Sequence, residues 1–266
     1  MSNVSYAVGA GLKLARAEAH IAEMDRKIAD YIRRGPFSWE RRTSSEPDCT
    51  DIVFRLNEAI PVEIAAVVGD ALHNMRSSLD NLASALAVRN GASAAQQRQV
   101  YYPVGQNQAE FANKCNQLAS IIGSAASNAL AATEVFGGGK GEKIKRLGEM
   151  SNTDKHRLLI PTVPKIDGPL QFGFGGNEPL PSGFKGSFKF MIGELGMGKV
   201  PACDGDLLLS YGDVNDDRFF INYQPTLTVS LDFQGLVPGE SIVTTLKEMR
   251  LSAVDAINQI VGMVGV

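Results

Sequence analysis

Residues 61–91 read PVEIAAVVGDALHNMRSSLDNLASALAVRNG, and this stretch decides the fold class. Pro61 suits the first residue of a helix, where its missing N–H is no loss, and Asn90-Gly91 supplies a C-terminal stop. On a wheel of about 100° per residue, Ala65, Val68, Leu72, Met75, Leu79, Leu82 and Leu86 form one apolar band. Opposite it lie Asp70, His73, Asn74, Arg76, Ser77, Asp80, Asn81 and Ser84. A helix this long in a chain of 266 residues is covered on more than one side, so polar residues on its flanks need partners.

Towards the N-terminus, the spacing of Leu12, Leu14, Ala15, Ala19, Ile21, Ala22, Ile28 and Ile32 predicts a helix over 8–34, stopped by Gly35-Pro36. Residues 37–50 mix Trp39 with serines, threonines and charges and read as an irregular connection; Ile52, Phe54 and Leu56 then alternate as a short strand over 51–56. Towards the C-terminus, weaker helical patterns cover 108–122, 124–135 and 141–150, and Pro161 and Pro164 close the helical half.

From Leu170 the composition changes. Alternating segments at 170–174, 188–192, 207–211, 218–224 and 227–233, separated by Gly, Pro, Asn and Asp, predict an antiparallel sheet of about five strands. Ile242, Leu246, Met249, Ala253, Ile257, Ile260 and Val264 then predict a helix over 239–264 that packs back on the sheet or the bundle. Helices followed by strands indicate α+β, with a mainly helical region over 1–165 and a sheet plus helix over 166–266.

Composition narrows the function classes. With 44% hydrophobic and 21% charged residues the chain is globular, and a formal charge of -3 argues against a surface that tracks nucleic acid throughout. Cys49, Cys115 and Cys203 are far apart and form no CxxC pair, so neither a disulfide framework nor a zinc knuckle is implied. No segment has the roughly 20 apolar residues of a membrane span, and the N-terminus has no signal-peptide core; a cytoplasmic protein with no membrane partner is the expectation.

Two polar clusters stand out. His73, Arg76 and Asp80, spaced by three and four residues, lie on one helix face and act as one surface. The second cluster is Asn152, Asp154, Lys155, His156 and Arg157, where Asn152 and Asp154 suit a turn and the basic residues complement a helix C-terminus. Between Lys140 and Arg157 six Lys or Arg face three acidic residues, the best anion-facing segment of the chain. His20, preceded by Lys13 and Arg16 at helical spacing, is an optional third member.

Each cluster also has a bland reading, as a solvated face with an Arg76–Asp80 ion pair and as an ordinary helix end. Gly137-Gly138-Gly139-Lys140 fails the phosphate-loop pattern, because Glu134 stands where a Gly is needed and Gly141 where a Ser or Thr is needed. No HExxH or GxSxG motif is present, so no cofactor and no metal are predicted and a serine hydrolase has the least support. Histidine beside arginine in a helical groove suits metal-independent RNA cleavage, with His moving the 2′-hydroxyl proton and Arg or Lys stabilising the phosphorane.

The stretches 69–80, GDALHNMRSSLD, and 152–157, NTDKHR, resemble two recurrent stretches of an uncharacterised bacterial family of cytoplasmic proteins, and 13–20, KLARAEAH, is similar to its N-terminal helix. This resemblance covers the helical half and implies positions rather than chemistry. A more distant similarity is to HEPN helical domains, many of them RNases of toxin and phage-defence systems, whose motif is an Arg followed after four to six residues by a His. Here Arg146 precedes His156 by ten and Arg76 follows His73.

Two functions follow as expectations. One is a non-catalytic ligand-binding or interaction module whose His, Arg and Asp residues form a polar network between helices. The alternative is a phosphoester-cleaving enzyme with His73, His156 and Arg76 as catalytic groups and Lys155, Arg157, Asp80, Asp154, Asn152 and His20 around the anion. RNA or another anionic ligand, and a second copy of the chain, are the partners left open.

Overall fold

The computed structural model describes residues 8–46, 49–157, 162–167, 170–174, 187–190, 204–212, 219–223, 226–231 and 241–265. In chain order these form α1 (Val8–Arg33), β1 (Phe37–Thr43), β2 (Cys49–Leu56), α2 (Val62–Arg89), α3 (Ala94–Gln97), α4 (Gln108–Ile122), α5 (Ser124–Ala131) and α6 (Glu142–Arg157). Then follow β3 (Thr162–Asp167), β4 (Leu170–Phe174), β5 (Ser187–Phe190), β6 (Leu207–Gly212), β7 (Phe219–Tyr223), β8 (Thr226–Leu231) and α7 (Ile242–Val264). Helices and antiparallel strands segregate, an α+β arrangement, and among the described residues no helix is long and apolar enough to cross a membrane.

The chain divides into two compact units, one of Met1–Asp25, Ala65–Ile160 and Val243–Val266, the other of Arg26–Ile64 and Pro161–Ile242. This differs from the expected division into 1–165 and 166–266. Residues 26–64 join the strand unit through the pairing of β2 with β6, and α7 joins the helical unit: its Leu246, Met249, Ala253 and Ile260 are buried and its Arg250 and Lys247 pair with Glu18 (2.7 Å) and Asp25 (3.5 Å) of α1. Lys143 of α6 also meets Glu248 at 2.6 Å, so α7 completes the helical unit.

In that unit α2 is the central element. All seven residues of its predicted apolar band are buried, and so are Ala71, Ala83 and Ala87 on its flanks. Each large side chain buried in this way contributes about 1.5–3 kcal/mol relative to exposure. Asn74, on the predicted polar face, is also buried; it donates to the Asp70 carbonyl and accepts from Lys13 of α1. Ser78 is fully buried and satisfied by its own helix, donating to the Met75 carbonyl at 2.6 Å.

The strand unit corrects three expectations. Among the described residues, which leave out 191–192, 218, 224 and 232–233 of the predicted segments, the five strands do not make one sheet: β1-β2-β6-β5 form a four-stranded sheet, while β3-β8 and β4-β7 are separate antiparallel pairs. Residues 37–43, expected to be irregular, pair with β2 along their length because Phe37 and Trp39 alternate onto Phe54, with ring centroids 6.2 and 5.9 Å from it. The exposed Glu40, Arg41 and Arg42 that made the segment look like a loop are the charges of an edge strand. Residues 162–167, where the prolines close the helical half and no strand was expected, form β3, with Pro164 opposite Val229, which a strand paired on one side tolerates.

Candidate functional site

Arg76 and Asp80 lie one turn apart on α2 and make a two-pronged pair, with Arg76 Nη2 and Nε donating to the Asp80 carboxylate at 2.9 and 3.2 Å. Both ends of this pair also reach the segment that follows α3. The Tyr102 N–H donates to Asp80 Oδ1 at 2.9 Å, and Arg76 Nη2 donates to the Tyr102 carbonyl at 2.8 Å. One peptide strand is thereby held through both of its polar backbone groups by an ion pair whose side chains are only 14% and 24% exposed.

The rest of the segment is held as firmly. The Tyr102 ring is buried and its hydroxyl donates to Thr133 Oγ1 at 2.9 Å; burial pushes this phenol well above the usual tyrosine range. Lys114 Nζ of α4 donates to the Val104 carbonyl at 2.6 Å, and the Gly105 N–H donates to the Val135 carbonyl at 3.0 Å. The Gln106 N–H caps back onto Glu110 at 2.9 Å, and the Lys114 ammonium together with this amide holds the Glu110 carboxyl below the usual carboxylate range. Gly105 is required, because a Cβ there would stand 2.6 Å from the Cβ of Phe111.

This pinned segment forms one wall of a cleft of about 730 Å³, with α2, α4 and α6 supplying the others. Its charged residues are Arg76, Asp80, Lys114 and Glu149, and its amides are Gln99, Gln106, Gln117 and Asn152. Val104, Leu118 and Ile121 give an apolar floor, and Tyr101, 63% exposed, stands at the mouth. Gly148 of α6 opens the space beside Arg76, with room for a Cβ at 3.6 Å from Arg76 Nη1.

The two polar clusters of the sequence therefore meet in part. Arg76, Asp80 and Asn152 line the same cleft. Asp154, one half-turn further on α6, packs its carboxylate over Gly69 of α2, so closely that a Cβ on Gly69 would lie 2.6 Å from Oδ2. This close approach carries α6 past the predicted end at Met150 to Arg157: residues 152–157 are helix rather than a turn, tertiary packing overriding the turn preference of Asn152 and Asp154. Lys155, His156 and Arg157 are in the last turns of α6, and their side chains lie outside the described residues.

The other two histidines lie apart from the cleft lining. His73 is exposed, with its Nε2 3.4 Å from Ser77 Oγ on the same helix. His20, 12% exposed, has Nδ1 4.0 Å from Glu23 one turn later on α1. Because α1 runs antiparallel to α2, with Lys13 opposite Asn74 and Gly9 opposite Asn81, His20 is two turns, or about 10 Å of helix rise, from the level of Asn74. Among the described residues no group of three or more His, Cys, Asp or Glu side chains converges to hold a metal.

Sequence reasoning missed Tyr101, Lys114, Glu149 and the glutamines. A usable signal existed only for Gly148, a glycine inside a helical pattern, which marks a close approach or an opening. The triple glycine serves a tight turn: Gly138 has φ 82° and donates its N–H to Glu142, and a Cβ on Gly139 would meet the Glu134 carbonyl. No protein-family model, curated protein or solved structure matches the chain.

Proposed function

We propose that the protein is a non-catalytic binding module that seats a small ligand in the cleft bounded by α2, α4, α6 and residues 99–106. The observation that carries this reading is the wall at 102–106, whose backbone polar groups are held by Arg76, Asp80, Lys114, Glu110 and Val135. A surface ordered before the ligand arrives avoids the entropic cost of ordering it on binding, a feature of binding sites in general. The position of His73 supports the same reading, since proton transfer needs a group within hydrogen-bond reach of the reacting atom, and its ring pairs with Ser77 away from the cleft lining.

Gly148→Leu tests the proposal by filling the cleft from a helix position beside Arg76 and Val104 while leaving every charged residue of the lining in place. In ligand-observed NMR with mixtures of common metabolites, at least one compound is expected to bind the native protein and to lose binding in Gly148→Leu, with the helical circular dichroism retained. No binder in any mixture, or binding unchanged in the variant, overturns the proposal. EDTA-resistant cleavage of varied RNA that vanishes in His73→Ala would replace it with the HEPN-like alternative.

A further inference from the structure

We infer that the cleft takes a neutral polyhydroxylated ligand, a sugar or cyclic polyol, an inference that rests on the binding-module reading above and names its ligand class. The first ground is electrostatic. Each charged group on the lining already has an opposite partner: Arg76 with Asp80 at 2.9 Å, Lys114 with Glu110 at 2.7 Å, and Glu149 with Lys145 at 2.6 Å. A phosphate or carboxylate entering the cleft would compete with Asp80 and Glu110 for cations whose charge is already neutralised, and would face Glu149 as a like charge.

The second ground is the hydrogen-bonding inventory. Among the described residues the side-chain amides of Gln99, Gln106, Gln117 and Asn152 have no hydrogen-bond partner, and all four residues are exposed at the cleft. An amide head presents a donor and an acceptor side by side, and a hydroxyl is likewise donor and acceptor, so adjacent hydroxyls on a ring match such heads in either orientation. The third ground is Tyr101, whose largely exposed ring offers one flat apolar face at the mouth, suited to the C–H face of a sugar ring. Arg76 Nη1, beside Gly148 and without a hydrogen-bond partner among the described residues, adds a fixed donor at the back of the site.

Saturation-transfer NMR tests this with glucose, galactose, mannose, N-acetylglucosamine, maltose and inositol, alongside adenosine and inorganic phosphate, on the native chain and on Tyr101→Ala and Asn152→Ala. At least one sugar or polyol is expected to receive saturation through its ring C–H protons. Its affinity should fall about tenfold in each variant, the size of one lost hydrogen bond or stacking contact. It should also change little between roughly 0.05 and 0.5 M salt, because no ion pair forms with the ligand. Adenosine or phosphate binding in the cleft with no sugar signal overturns the sugar inference and leaves the binding-module reading standing. Silence from every compound here and from the metabolite mixtures overturns both, and a sugar signal that survives both variants also overturns the inference, because it arises elsewhere on the chain.

Discussion

The two shoulders of α2 carry similar residues and put them to opposite uses. From His73 to Arg76 is three residues, which turns the helix by about 300° and sets the arginine about 60° to one side. On one shoulder the exposed His73 meets the half-buried Ser77 at 3.4 Å. On the other, Arg76 and Asp80 hold both backbone groups of Tyr102 and build the wall of a cleft. A polar run on a helix becomes a site only where another segment uses its donors and acceptors; residue type alone does not decide it.

The largest effect should come from breaking the pinned shoulder. Asp80→Ala leaves the Tyr102 N–H without its acceptor and the Arg76 head without its counter-charge, with only the Tyr102 carbonyl still accepting from it, and should cost about 2–3 kcal/mol of unfolding free energy in a denaturant titration. Alkaline titration attacks the same wall from behind. Burial pushes the Cys115 thiol of α4 up to about 11 from an ordinary 9.0 and raises the Tyr102 phenol beyond its usual range, so both are held protonated in the fold. Between the unfolded and folded values the unfolded chain binds fewer protons, so stability is full below about pH 9 and should decline as pH rises towards 11. A flat stability between pH 8 and 11 would show that these groups are not buried as described.

The facing glycines of α2 and α6 give a contrast of sign. Gly69→Ala drives a Cβ into the Asp154 carboxylate and should cost about 1–2 kcal/mol, and that loss should shrink when Asp154→Ala is added. Gly148→Ala meets only ordinary contacts at 3.6 and 3.7 Å and should gain about 0.5–1 kcal/mol from helix propensity. The smallest effect belongs to the solvated shoulder: His73→Ala should shift stability by less than about 0.5 kcal/mol. A loss of 2 kcal/mol or more there would make His73 part of a network and erase the distinction between the shoulders.

Much of the helical part was legible because period and stop signals agree. Leu72, Met75, Leu79 and Leu82 mark the buried face of α2, and Gly35, Gly91 and Gly123, all with positive φ, stand at helix ends. Strand positions were legible too, but their pairing was not: β2 joins β6 across some 150 residues of sequence, and alternation along one segment carries no information about its neighbour. β1 was hidden by Glu40, Arg41 and Arg42, and the end of α6 by Asn152 and Asp154, whose turn preference is overridden by the packing of Asp154 on Gly69. In the cleft, Arg76, Asp80 and Asn152 drew attention as polar clusters. Tyr101 and the glutamines did not, because uncharged hydrogen-bonding groups on weakly patterned segments have no spacing signature. The histidines attracted weight through their rarity, which says nothing about which shoulder of a helix they occupy.

Asp80 and Arg76 hold Tyr102, and with it the wall at 102–106, before any ligand arrives. Hydrogen exchange at the Tyr102 amide in the ligand-free protein tests it most directly. Strong protection is expected in the native chain, retained in His73→Ala and lost in Asp80→Ala. Exchange at the free-chain rate in the native protein, or protection that survives Asp80→Ala, would contradict it.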